Sequence, residues 1–134
     1  MPDGTRGVTP PGRRAEGMRI RRELLGDDYV DRSAAGADDL TADFVELAIS
    51  HAWADVWARP GLDRRTRSCI TLAILAALGC EEELAMHVPA ALRARVTRDE
   101  VKEVLLQVAV YASLPRAHRA FAIARVALAA MEED

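Results

Sequence analysis

Residues 97–112, TRDEVKEVLLQVAVYA, carry the clearest helix signal in the chain. Thr97 and Glu100 have the spacing of a capping box, in which each side chain accepts a hydrogen bond from the other residue's backbone N–H. Beyond the cap, Val101, Val104, Leu105, Val108 and Ala112 recur at helical spacing and make one apolar face. Leu106 and Val110 lie on the opposite side, so the pattern predicts a helix covered all round. Glu103 and Gln107, four residues apart, share that second side. A carboxylate drawn against apolar surface has its charged form disfavoured, which makes Glu103 a candidate acid or base. The same pattern serves equally for a surface glutamate paired with a nearby arginine.

Working outward, Pro115 opens a following helix that continues to Met131, and a preceding one covers about Glu81 to Arg93, with Pro89 expected to bend it. The stretch Cys69 to Leu78 is apolar on every side except for Thr71, with Asp63 as its candidate cap and Gly79 as its stop. Ten residues are too few to span a bilayer, so it reads as a buried central helix. Earlier, Leu40, Phe44, Leu47, Ala48, Ala52, Val56 and Trp57 lie at helical spacing in a helix that starts near Asp39 or Thr41 and stops at Pro60 and Gly61. A first helix spans about Gly17 to Leu25 and ends at Gly26, and residues 27–39 read as a polar, acidic connection. Residues 1–15 contain Pro2, Pro10 and Pro11 but no apolar run of the kind a secretory signal requires, and are expected to form a flexible tail. The expectation is an all-α, single-domain helical bundle of about six helices over residues 16–134, rich in Ala, Leu, Arg and Glu and poor in strand-forming aromatics.

Composition narrows the partners. A net charge of −3 leaves no overall positive field to hold a nucleic acid backbone or an anionic membrane, so neither is expected. Cys69 and Cys80 are eleven apart and make neither a redox C-x-x-C nor a zinc pattern, which fits a reduced, cytoplasmic protein. His51, His87 and His118 lack the spacing of a ligand set, so no metal is expected. Only isolated glycines occur, with no phosphate-binding loop. Catalysis, if present, must run on side chains and substrate electronics.

Glu83 and His87 stand at i and i+4, which places them on one face of their helix. A carboxylate there can orient an imidazole, choose its tautomer and raise its pKa. Such a pair is also common by chance on a protein surface. Trp53 and Trp57 are likewise four apart, a spacing that serves a core or a subunit interface before a binding platform.

Four stretches in this order, WADVWARPGLDRRTRS (53–68), LAILAALG (72–79), ELAMHVPAAL (83–92) and VTRDEVKEVLLQVAVYASLP (96–115), resemble the carboxymuconolactone decarboxylase family. The upstream MRIRRELLGDDYVDRS (18–33) is similar to the short, free-standing 4-carboxymuconolactone decarboxylases, so the resemblance runs from about Met18 to Leu128. It implies an all-helical, alkylhydroperoxidase-like fold that assembles as a ring-like homo-oligomer, commonly trimers paired into hexamers. It implies a carboxy-lyase that, without a cofactor, converts 4-carboxymuconolactone to 3-oxoadipate enol-lactone in protocatechuate catabolism. Glu83 and His87 fall on the family's E-L-x-x-H-V segment and Glu103 on the acidic position of the helix that follows. The catalytic set implied is therefore His87 as proton donor, Glu83 holding it, and Glu103 as a second acid or substrate-orienting group. Arg64, Arg65 and Arg67 at the start of the central helix, with Trp57, Gln107 and Tyr111, are the expected substrate contacts.

Four positions depart from the family pattern. Arg95 and Ser113 stand where the family usually has glycine, and Arg116 and His118 add bulk and polarity after Pro115. Glycine at such places permits left-handed backbone or close approach to a ligand, so a changed loop and a narrower pocket are expected. They leave room for a second enzyme reading, the same fold acting on a different carboxylated or enolisable intermediate in a biosynthetic pathway. A thiol peroxidase would need paired cysteines at an active helix, which Cys69 and Cys80 do not supply. A non-catalytic oligomerisation module remains as a different class, because apolar helix faces favour assembly with or without a reaction.

Overall fold

A computed structural model describes residues 11–133. Among them are seven α-helices, one π-helical segment and no strand. The chain divides into two compact units, with the boundary between Gly61 and Leu62. Among the described residues, no helix is long and apolar enough to cross a membrane.

The first unit contains α1 (Pro11–Leu25), α2 (Asp27–Ala35) and α3 (Ala42–Leu47), the last continuing directly as a π-helical segment, Ala48–Trp57. Proline, with φ preset and no N–H to leave unsatisfied, suits the first position of α1. Residues 11–15 of the expected tail therefore belong to a helix, and residues 1–10 lie outside the described residues. α1 packs along the π-helical segment. Gly17 makes that approach possible, because a Cβ there would stand 2.6 Å from the backbone nitrogen of Ala54.

Two expectations for this unit are corrected. The acidic stretch after Gly26 is helical: Asp27 and Asp28 sit in the first turn of α2, where the helix dipole favours negative charge, and Val30 buries its side chain. Arg22 ties the turn down by donating to Asp27 at 3.0 Å and Asp31 at 2.9 Å. Further on, the apolar face read at a period of 3.6 is not the buried one. Leu40, Phe44, Leu47 and Val56 are exposed, whereas Ile49, Ser50, Trp53 and Ala54 are buried. The i→i+5 bonding of the segment, ending with Ala58 N–H to the Trp53 carbonyl at 3.2 Å, widens each turn and rotates successive side chains away from the α-helical register.

The second unit contains α4 (Arg64–Leu78), α5 (Glu81–Arg93), α6 (Arg98–Tyr111) and α7 (Leu114–Glu132). Helices α5 and α6 each pack on both α4 and α7, and α4 and α7 also touch each other. Leu72 and Ala76 of α4, Leu84 and Val88 of α5, and Val101 and Leu105 of α6 meet in one core. The start signals read from sequence are all in use. Asp63 accepts from the Thr66 N–H at 2.7 Å, and the Thr97–Glu100 box closes in both directions at 3.0 and 3.1 Å. Ser113 caps α7 by accepting from the Arg116 N–H at 3.2 Å.

Neither α4 nor α6 is covered all round within the chain, contrary to expectation. Ile70, Ile74 and Leu78 form an exposed row on α4, as do Leu106 and Val110 on α6. The neighbours within the unit reach only one side of each helix.

The two glycine replacements behave differently. After α4, Gly79 at φ 73° carries a Schellman ending: Cys80 N–H reaches the Leu75 carbonyl at 2.9 Å and Gly79 N–H the Ala76 carbonyl at 3.3 Å. After α5 the same ending is built on Arg95 at φ 72°, with Val96 N–H to Ala91 at 2.9 Å and Arg95 N–H to Leu92 at 3.0 Å. The loop thus keeps the shape glycine would give it, at the cost of a left-handed arginine, while buried Val96 holds the turn in place. Ser113 is extended at φ −166°, so no glycine is needed there and the serine hydroxyl gains a capping role. We expect Arg95→Gly to stabilise the protein by about 1 kcal/mol and Arg95→Ala to give no such gain, measured by urea unfolding. Equal stability of Arg95→Gly and wild type would mean that the left-handed arginine carries no strain.

Candidate active site

The candidate catalytic pair is positioned by α5. Cys80 precedes its first turn, and Glu81, Glu82 and Glu83 fill that turn, where carboxylates complement the exposed N–H groups and the dipole. Glu83 is exposed, and His87, one turn later on the same face, is half-buried. The two-residue connection Gly79–Cys80 joins α4 to α5, and the two helices pack together.

Burial lowers the pKa of His87 below the usual imidazole value, and the Glu83 carboxylate opposes this without overcoming it. The carboxylate acts in the expected direction, but burial outweighs it and the net shift is downward. Desolvating a cation costs more here than one exposed carboxylate returns through solvent. His87 is held as the neutral imidazole in the free protein near pH 7, able to donate from one ring nitrogen and accept at the other.

Glu103 does not join this pair within the chain. It is exposed on α6 and makes no hydrogen bond or ion pair with another described residue. Gln107 and Tyr111 are exposed on the same helix. An ion pair between Arg65 and Glu100 sets the start of α6 beside the start of α4. Both α5 and α6 pack against α4.

The three arginines of α4 are not equivalent. Arg65 is engaged by Glu100, so a substrate carboxylate would have to exchange with that pair. Arg64 and Arg67 are half-buried in the first turn, and the Arg67 carbonyl accepts from the Thr71 hydroxyl at 2.9 Å. Trp57 belongs to the first unit, where its ring stacks on that of buried Trp53 at 5.0 Å and 21°. His51, also there, pairs with Asp55 at 3.1 Å, and Cys69 and Cys80 are free thiols.

Two features escaped the sequence reading. Ser68 is 2% exposed and its hydroxyl has no hydrogen-bond partner among the described residues. Its only signal was a polar residue directly before an apolar run. Arg119 of α7 donates to Glu81 of α5 at 2.5 Å, so the first glutamate of that turn serves packing rather than chemistry. Nothing in the sequence links positions 38 residues apart.

Residues 42–126 match the family model for the carboxymuconolactone decarboxylase family, and the chain belongs to that family. It is 44% identical over 109 residues to a 4-carboxymuconolactone decarboxylase of Acinetobacter baylyi, covering 81% of each chain. It is 38% identical over 100 residues to the nitrosuccinic acid decarboxylase npaB of Metarhizium robertsii, covering 75% of this chain and 70% of that one. The matched family region contains α4, α5 and α6 whole, and with them Glu83, His87 and Glu103.

The lowered pKa of His87 makes a stability statement. The unfolded imidazole takes up a proton near pH 6.5 while the folded one resists it, so the unfolded state binds more protons in the window below that value. Stability is therefore retained above about pH 6.5 and declines as the pH falls toward the folded pKa. Unfolding curves at about pH 7.5 and 5.5 should show a smaller acid loss in His87→Gln than in wild type. An identical loss in both would place the buried titration elsewhere.

Proposed function

We propose that this protein is a carboxy-lyase that converts 4-carboxymuconolactone to 3-oxoadipate enol-lactone, with His87 as its proton donor. The observation that carries this reading is the half-buried His87 beside Glu83, in a chain 44% identical to a 4-carboxymuconolactone decarboxylase along 81% of its length. It acts in the cytoplasm, in the protocatechuate branch of aromatic catabolism.

The chemistry needs no cofactor, because the substrate is its own electron sink. As the carbon–carbon bond to the ring carboxylate breaks and CO2 leaves, its electron pair passes through the ring double bond to the lactone carbonyl, giving a dienolate. Protonation next to that carbonyl completes the enol-lactone. The protein has to desolvate the departing carboxylate, hold the remaining acetate group, donate to the developing oxyanion and deliver one proton. Burial around His87 serves the first need, and Arg64 and Arg67 supply cations for the second. Neutral His87 becomes an acid when the anionic substrate binds beside it, since the incoming charge offsets the desolvation that holds its pKa down. Glu83 keeps the imidazole oriented, and Glu103 or Gln107 orients the substrate.

Glu103 and the exposed apolar rows on α4 and α6 are accounted for together by self-association. Leu78 is 67% exposed and Val110 73%, more apolar surface than isolated protomers usually present. A homotrimer or hexamer would cover these rows and bring a carboxylate such as Glu103 into drier surroundings.

The nitrosuccinic acid decarboxylase relative supports a second reading, in which the same site removes CO2 from a different activated carboxylate. Nitrosuccinate also carries its own electron sink, the nitro group. The preserved loop at Arg95 and the unstrained Ser113 favour the lactone, because neither departure reshapes the backbone.

Purified protein mixed with 4-carboxymuconolactone should release CO2 and enol-lactone, and His87→Gln should lower kcat by about 10²–10⁴-fold while leaving the oligomer seen in sedimentation unchanged. Because kcat/KM reports the free enzyme, it should rise as pH falls toward the lowered pKa of His87. Turnover of nitrosuccinate but not of the lactone would replace the first reading with the second.

A further inference from the structure

Between α6 and α7 lies a cavity of about 200 Å³ that takes no part in the site described above. Its floor is apolar: Val101 and Leu105 from α6 face Phe121, Ala124 and Leu128 from α7. The gap follows from the sequence, because α7 presents small Ala124 between the larger Phe121 and Leu128. The rim is cationic, with Arg98 and Lys102 one turn apart on α6 and Arg125 across from them on α7. Arg98 is satisfied by Glu132, at 2.8 Å. Lys102 and Arg125 make no ion pair with a described residue, so two unmatched cations stand over an apolar floor. In a chain with a net charge of −3 this is a local reversal of sign.

We infer that this cavity is a binding site for a small organic anion, with a monocyclic apolar body on the floor and a carboxylate between Lys102 and Arg125. Size sets the body: an apolar cavity of about 150 Å³ is enough to take benzene. The rim sets the head group, since an ammonium and a guanidinium can share one carboxylate by charge-assisted hydrogen bonds. Glu132 holds the third cation in reserve and competes with the ligand for it. The site is separate from the catalytic pair, whose residues lie on α5 and line none of this cavity.

Lys102 is the only lysine in the chain, so lysine-selective 15N labelling gives a single reporter in the wall of the cavity. In full-length protein, benzoate should shift that signal saturably, with a dissociation constant on the order of a millimolar. Acetate, which lacks the ring, and benzyl alcohol, which lacks the charge, should each bind about tenfold more weakly. Arg125→Gln, at an exposed position, should weaken benzoate by about tenfold, whereas Glu132→Gln should tighten it by releasing Arg98. His87→Gln should leave benzoate binding unchanged. Acetate binding as well as benzoate would reduce the feature to a surface charge. Absence of a saturable shift, or indifference to Arg125→Gln, would overturn the assignment. Loss of binding in His87→Gln would place the anion in the catalytic site instead.

Discussion

Leu72, at the middle of α4, has no exposed surface, and the second unit is organised around its burial. Three helices pack on α4, and their core residues meet there: Leu84 and Val88, Val101 and Leu105, and Ala117, Ala120 and Ala124. The alanines of α7 let it come close to α4 and touch α5 and α6 at once. Filling one helix's surroundings with three others leaves the outer sides of α4 and α6 bare, which is why apolar rows remain exposed. The same packing lowers the pKa of His87, because its face of α5 adjoins the buried Leu84–Val88 row.

Burial and charge divide the work in this unit. The ion pairs Arg65–Glu100, Arg119–Glu81 and Arg98–Glu132 sit at a helix end or on the rim, where water keeps desolvation cheap. His87 is a titratable group left partly inside with one exposed carboxylate nearby. A resting protein gains little from such a group. Its lowered pKa records that imbalance, with desolvation outweighing the Glu83 carboxylate.

Much of the helical skeleton was legible in sequence because its signals are local. The capping box at Thr97–Glu100, the Asp63 cap, the stop at Gly79 and the span of α5 each depend on residues within a few positions of one another. Where the local rule changed, reading failed. The acidic stretch 27–35 looked like a loop because its support comes from Arg22 on the preceding helix and from the burial of Val30. Beyond Leu47 the apolar stripe lost its register because the π-helical segment Ala48–Trp57 does not keep the α-helical period. Arg95 was read as a changed loop, yet the Schellman bonds and buried Val96 impose the glycine-like conformation on it.

Sequence by itself determined which residues share a helix face: Glu83 with His87, Glu103 with Gln107, and Val101 with Leu105. These relations follow from 3.6 residues per turn and need no partner. Only tertiary structure decided what each face meets. It lowered rather than raised the pKa of His87, left Glu103 in water, engaged Arg65 with Glu100 and set Lys102 and Arg125 over an apolar cavity. Burial and ion pairing are sums over neighbours from other helices, and those sums exist only once the helices have packed.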